Sequence, residues 1–116
     1  MKGQKILIIS NQDKLYGEIE GILSKELYSF ERLEQNNIGI IRKINPKLII
    51  ISVNKNMPFS NCLEIRSQYY EIPILVISTW EEKERGVIMF DMNNFHSFKD
   101  HVFEGSLIKK VREMIV

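Results

Sequence analysis

The sequence predicts one open α/β domain, with five strands and five helices in strict alternation and a parallel sheet covered on both faces. Three apolar runs carry that expectation: Ile6–Ile9, Leu48–Val53 and Ile72–Ile77, all rich in β-branched residues. Each is continuous where a half-exposed strand would alternate, which is how strands buried on both faces read. Helical periodicities lie between and after them, and such alternation implies right-handed crossovers in a parallel sheet. At 116 residues the chain suits one core and is too short for two, so residues 1–116 are read as a single domain.

In chain order, Ile6–Ile9 is the first strand. Leu15, Ile19, Ile22, Leu23 and Leu27 then form one apolar stripe on a helix of about three to four turns, which Gly17 and Gly21 weaken. Tyr28–Leu33 is a second strand. Asn37 caps a short helix carrying Ile38, Ile41 and Ile44, and Pro46 closes it. Leu48–Val53 is the third strand, with a helix over Asn61–Tyr70 after it. The fourth strand begins where Pro73 can spare a backbone donor. Ser78 or Thr79, with acids Glu81 and Glu82 three residues on, reads as a capping box that opens a fourth helix. Phe95–Phe98 is the last strand. Leu107, Ile108, Val111, Met114 and Ile115 mark an amphipathic final helix with Lys109, Lys110 and Arg112 on its solvent side.

Composition excludes several functions. Apolar content of 44% and charged content of 27% are those of a folded globular domain. With 16 basic against 15 acidic side chains, no global field draws nucleic acid or an anionic membrane, so any DNA contact must come from another segment. No stretch approaches the ~20 apolar residues of a spanning helix, and "MKGQKILIIS" is too short and polar for a secretory signal. The single cysteine, Cys62, forbids an intramolecular disulfide and a cysteine metal cluster. A cytoplasmic protein without membrane contact is expected. In open α/β sheets ligands bind beyond the strand carboxyl ends, which singles out Ser10 and Asn11, Ser52 to Asn54, and Ser78 to Trp80.

"KILIIS" at the start, "PKLIIISVNKNMPFSNCLEI" in the middle with its Met57-Pro58 turn, "EIPILVIST" and the terminal "LIKKVREMIV" together resemble a bacterial response-regulator receiver domain across essentially the whole chain. The resemblance implies a flavodoxin-like doubly wound (βα)5 fold with strand order 2-1-3-4-5. In receivers an aspartate ending the third strand takes a phosphoryl group, and Mg²⁺ is held by that aspartate and an acidic pair after the first strand. Here the acceptor position falls on Ser52 and the acidic pair on Ser10 and Asn11, so all three carboxylates are missing. A hard divalent cation needs such oxygens, and the nucleophile must be an anion at neutral pH. No Mg²⁺, other metal or cofactor is therefore expected, and without clustered carboxylates the pocket needs no cation for stability.

The resemblance also places the switch hydroxyl on Ser78 and the switch aromatic on Phe95, and it leaves the lysine of the last strand at Lys99, one residue out of step. Because side chains alternate along a strand, that offset points Lys99 away from the pocket unless a bulge re-aims it. Cys62 reads as a packed small residue ahead of a redox sensor, and His96 and His101 as strand or surface residues ahead of metal ligands. Trp80 is read equally as an interface residue and as a partly exposed loop aromatic. The expected function is an atypical, phosphorylation-independent receiver with no catalytic residues. It acts through protein partners and regulates transcription through an attached DNA-binding domain. A homodimer is expected through the surface of the fourth helix, fifth strand and fifth helix. A stand-alone single-domain regulator is the variant. A ligand-binding or enzymatic flavodoxin-like protein is the alternative, and it lacks a glycine-rich phosphate loop, a nucleophile with a base, or a metal cluster.

Overall fold

The computed structural model describes residues 4–35, 37–54, 58–79, 87–91, 96–100 and 103–115. The elements run β1 (Lys5–Ile9), α1 (Asp13–Leu23), β2 (Ser29–Leu33), α2 (Ile38–Ile44), β3 (Leu48–Val53), α3 (Ser60–Gln68), β4 (Ile74–Thr79), β5 (Val87–Asp91), β6 (His96–Asp100) and α4 (Phe103–Met114). They build one six-stranded sheet in the order β2-β1-β3-β4-β5-β6. Strands β1 to β4 are parallel, as the apolar runs foretell.

The two faces of the sheet bury alternate residues of the same strands. Ile6, Ile8, Leu48, Ile50, Leu75 and Ile77 pack with Leu15, Ile19 and Leu23 of α1 and Leu107 and Val111 of α4. Leu7, Ile9, Ile49, Ile51, Ile74 and Val76 pack with Ile41 of α2 and with Cys62 and Ile65 of α3. Burial on both faces is why β1 and β3 read as unbroken apolar runs, and each fully buried aliphatic side chain contributes about 1.5–3 kcal/mol. Leu27, counted in the first helical stripe, is instead 81% exposed. The helix stops at Leu23, and the Ser24 hydroxyl donates to the Gly21 carbonyl at 3.0 Å as the chain turns toward β2. Asn37 caps α2 by accepting the Ile40 amide at 3.2 Å, and Asn45 ends it in the left-handed region at φ 52°. Asparagine tolerates that region better than most residues do.

The expectation of five parallel strands in order 2-1-3-4-5 fails beyond β4. β5 runs antiparallel to β4, and β6 antiparallel to β5. Ser78 and Thr79, read as helix caps, belong to β4 and pair with Ile88 and Val87. Residues 87–91, Val-Ile-Met-Phe-Asp, are β-branched and aromatic enough to extend the sheet as a strand. A direct antiparallel return needs no helical crossover, so the strict alternation breaks. Trp80 and the charged run from Glu81 to Arg85, assigned to the fourth helix, lie outside the described residues, as do Phe95 and His101. The last strand occupies His96–Asp100, later than the expected Phe95–Phe98. The expected dimer surface, which included Val87, Ile88 and Phe90, changes with this topology, because those residues stand on a strand. Among the described residues no helix is long and apolar enough to cross a membrane.

Candidate functional site

The register that pairs Ile9 with Ile51 brings the residues that follow, Ser10 just past β1 and Ser52 in β3, side by side at the carboxyl end of the sheet. Ser10 and Ser52 continue the alternation that faces α1 and α4. Both are buried, at 0% and 1% exposure. The Ser52 hydroxyl donates to Ser10 Oγ at 2.9 Å, across the gap between the strands. Ser10 Oγ also accepts the Gln12 amide at 3.1 Å, and its own hydroxyl lies 3.3 Å from the Gln12 carbonyl. That local turn serves the start of α1, whose N-cap Gln12 makes no side-chain capping bond. Above the buried pair sits a second, more exposed one, in which Asn54 Nδ2 donates to Asn11 Oδ1 at 2.8 Å.

Arg32 of β2 completes the corner and was not singled out from the sequence. Its register partner is Ile8, which puts it on the α1 side of the sheet. Its Nε and Nη2 donate to the Ser10 carbonyl at 3.4 and 3.2 Å, and Nη2 reaches Asp13 Oδ1 at 2.7 Å. Glu34 lies 4.0 Å from Nη1. The guanidinium carbon sits 4.6 Å from the centre of the Tyr16 ring. Burial first, then the bond to Glu20 and its charge, raises the Tyr16 phenol, so the ring beneath the cation stays neutral. The only advance signal was an arginine one residue from the end of an edge strand, which by itself reads as solvent-facing.

No family model matches the chain, and no curated protein matches it in sequence. Solved structures do match. The chemotaxis protein CheY4 of Vibrio cholerae superposes with a TM-score of 0.58 at 22% identity, over 69% of this chain and 72% of CheY4. The fold resembles that of CheY4. A substituted variant of HypX from Aquifex aeolicus matches with a TM-score of 0.56 at 12% identity, over 86% of this chain and 22% of HypX. A fusion bearing the yeast Spc42 trimeric coiled coil matches with a TM-score of 0.54 at 18% identity, over all of this chain and 65% of the fusion. At such identities the likeness is one of fold.

The residues expected to converge do so only in part. Ser10 and Ser52 meet at the strand ends, and Asn11 bonds Asn54 there. Ser78 pairs with Val53, so it falls on the α2/α3 row of the sheet, opposite the row of Ser52. Lys99 pairs with Ile88, itself opposite Ser78, and stands on β6, three strands from β3. At about 4.8 Å per strand, that is about 14 Å of sheet from Ser52. The register and the inserted β5 therefore separate Lys99 from the site. Phe95 lies outside the described residues.

The Mg²⁺ of receivers does not fit this donor set. The three positions that would hold it carry two hydroxyls and an amide; the hydroxyls bond each other, and that of Ser10 also bonds the Gln12 backbone. Among the described residues no group of three His, Cys, Asp or Glu side chains could hold a metal ion. Cys62 is fully buried in the α2/α3 core, and burial pushes its thiol up to about 12. The packed-residue reading of Cys62 accounts for this placement, whereas a redox sensor requires an accessible thiolate.

Proposed function

We propose that this domain is an atypical receiver that signals through protein contacts and performs no phosphoryl transfer. One observation carries the reading: at the acceptor position stands a hydroxyl that is 1% exposed and donates its proton to a second buried serine. A serine acceptor needs a base to remove its proton and a cationic cradle for the transferred group. The neighbour of Ser52 Oγ is another neutral hydroxyl, and Lys99 stands three strands away. The receiver fold supplies the scaffold for partner recognition, and regulation then rests on which surface a partner finds.

We extend the reading to transcription control, with DNA bound by an attached domain. The near-neutral charge of this chain supports that division of labour. Self-association belongs to the same proposal, and sedimentation at high micromolar concentration checks it: a monomer there removes the homodimer from the scheme. For the central claim, the protein is incubated with acetyl phosphate, or with beryllofluoride, in the presence of Mg²⁺. Intact mass and amide chemical shifts are then recorded. The expected result is no mass increment and no shift at Asn11, Ser52 or Ser78. A stable phosphoryl adduct on Ser52 overturns the proposal.

A further inference from the structure

We propose that Arg32 is the resident cation of this pocket, a guanidinium that clamps the β1–α1 corner and removes any need for a divalent ion. The inference rests on the receiver reading and adds to it a residue that the fold does not require. Its basis is the set of acceptors that Arg32 gathers. The Ser10 carbonyl at the end of β1 receives two N–H groups, and the carboxylate of Asp13, in the first turn of α1, receives one at 2.7 Å. Glu34, just past β2, stands 4.0 Å away. A strand-end carbonyl and two carboxylates are the oxygen types that a hard divalent cation collects. Here they come from three consecutive parts of the fold, and a side chain fixed to the edge strand ties them together.

The guanidinium suits the role for two reasons. Its planar fork serves the carbonyl and the carboxylate at once, where an ammonium would offer a single point charge. Its face also lies over the Tyr16 ring, so α1 is held by stacking as well as by charge. Arg32 is only 21% exposed in its side chain, whereas Asp13 is 87% exposed. The cation is thus the ordered partner, and its carbonyl contact is the one sheltered from salt. The carbonyl belongs to Ser10, whose hydroxyl binds Ser52, so the clamp and the serine pair share one residue.

Thermal melts of the wild type, Arg32→Lys and Arg32→Met, each in EDTA and in millimolar Mg²⁺ or Ca²⁺, test the assignment. The wild type is expected to melt at the same temperature in all three solutions. Arg32→Met is expected to melt about 5 °C lower in EDTA and to recover part of that loss in Ca²⁺ or Mg²⁺, because the acceptors remain and the charge is gone. Arg32→Lys is expected to fall between the two and to ignore the ions. A wild type stabilised by divalent ions, or an Arg32→Met variant equal to the wild type, overturns the proposal. So does an Arg32→Met variant that folds yet ignores both ions. If Arg32→Met does not fold, amide shifts of Asn11 and Asp13 in a Mg²⁺ titration of the wild type and Arg32→Lys decide: movement in the wild type sinks the idea, and silence in both upholds it. No phosphodonor is present, so a failure here is separable from labelling of Ser52.

Discussion

Restoring the missing carboxylate at the acceptor position, Ser52→Asp, should harm this protein instead of reviving it. Ser52 is 1% exposed, with Ile50 and Ile77 beside it on the α1/α4 row and a neutral hydroxyl 2.9 Å away. A carboxyl buried there has its pKa raised by about 3 units if desolvation dominates. Each unit corresponds to about 1.4 kcal/mol, so the ionised variant loses about 4 kcal/mol. The extra atoms add about 1–3 kcal/mol of overpacking. The sign of the pH dependence follows. The folded pKa lies above the unfolded value, ~3.9, so the electrostatic loss is absent below about pH 4, grows as pH rises, and levels off above the folded pKa. Urea unfolding of Ser52→Asp and the wild type at pH 4 and pH 7 measures it. Ser52→Ala serves as control, with a pH-independent loss of about 1 kcal/mol for the lost hydrogen bond. The reasoning is refuted if Ser52→Asp matches the wild type at pH 7, since that would mean the site is solvated and still suited to an acid.

Cys62 should resist alkylation in the native state at pH 8, because a thiol titrating at about 12 is about one part in ten thousand thiolate there; rapid labelling without denaturant contradicts its placement. Its folded pKa lies above the ordinary 9.0, so stability from this group is intact below pH 9 and declines by about 1.4 kcal/mol per unit from there to about 12. Comparison with Cys62→Ala in alkaline urea melts reads that slope. Asn37→Ala removes the α2 cap that holds the Ile40 amide and should cost about 1 kcal/mol by chemical denaturation. Ile50→Ala, in the centre of β3 and fully buried, should cost about 2–5 kcal/mol and leave the m-value unchanged if the fold is retained.

The parallel half of the sheet was legible because both of its faces are dry. In β1 and β3 every side chain from Ile6 to Ile9 and from Leu48 to Ile51 is buried, and only a doubly covered strand tolerates that run. The Asn37 cap was legible for a local reason, a short acceptor preceding a helix. Beyond β4 the local signals competed. Ser78 and Thr79 followed by acids resemble a helix start, but the next apolar stretch, Val87–Phe90, finds hydrogen-bonding partners on the open edge of β4. The strand-forming composition of that stretch was outweighed by the cap-like residues before it. The strand-end serines were legible by position, whereas their mutual bond and the hold of Arg32 on Ser10 depend on β1 lying between β2 and β3.

The topology after β4 supports the proposed lack of phosphoryl transfer on grounds other than the three replaced side chains. In a five-stranded parallel receiver the last strand lies beside β4, two strand spacings or about 10 Å from β3. Here an antiparallel strand takes that edge, and the following strand begins about 14 Å from β3. The register compounds the separation, because Ser52 shares its row with Ile77 and Met89, and Lys99 shares its row with Ser78 and Ile88. Moving a basic residue back to the site would require both one fewer strand and a one-residue shift. On the other flank, the Ser10 carbonyl and the Asp13 carboxylate already have a cation in Arg32. The site is closed by two independent features of the fold, one on each side of β3. On the proposed reading, a partner responds to something other than charge arriving at Ser52, and β5 and β6 give this sheet an edge that a five-stranded parallel sheet lacks.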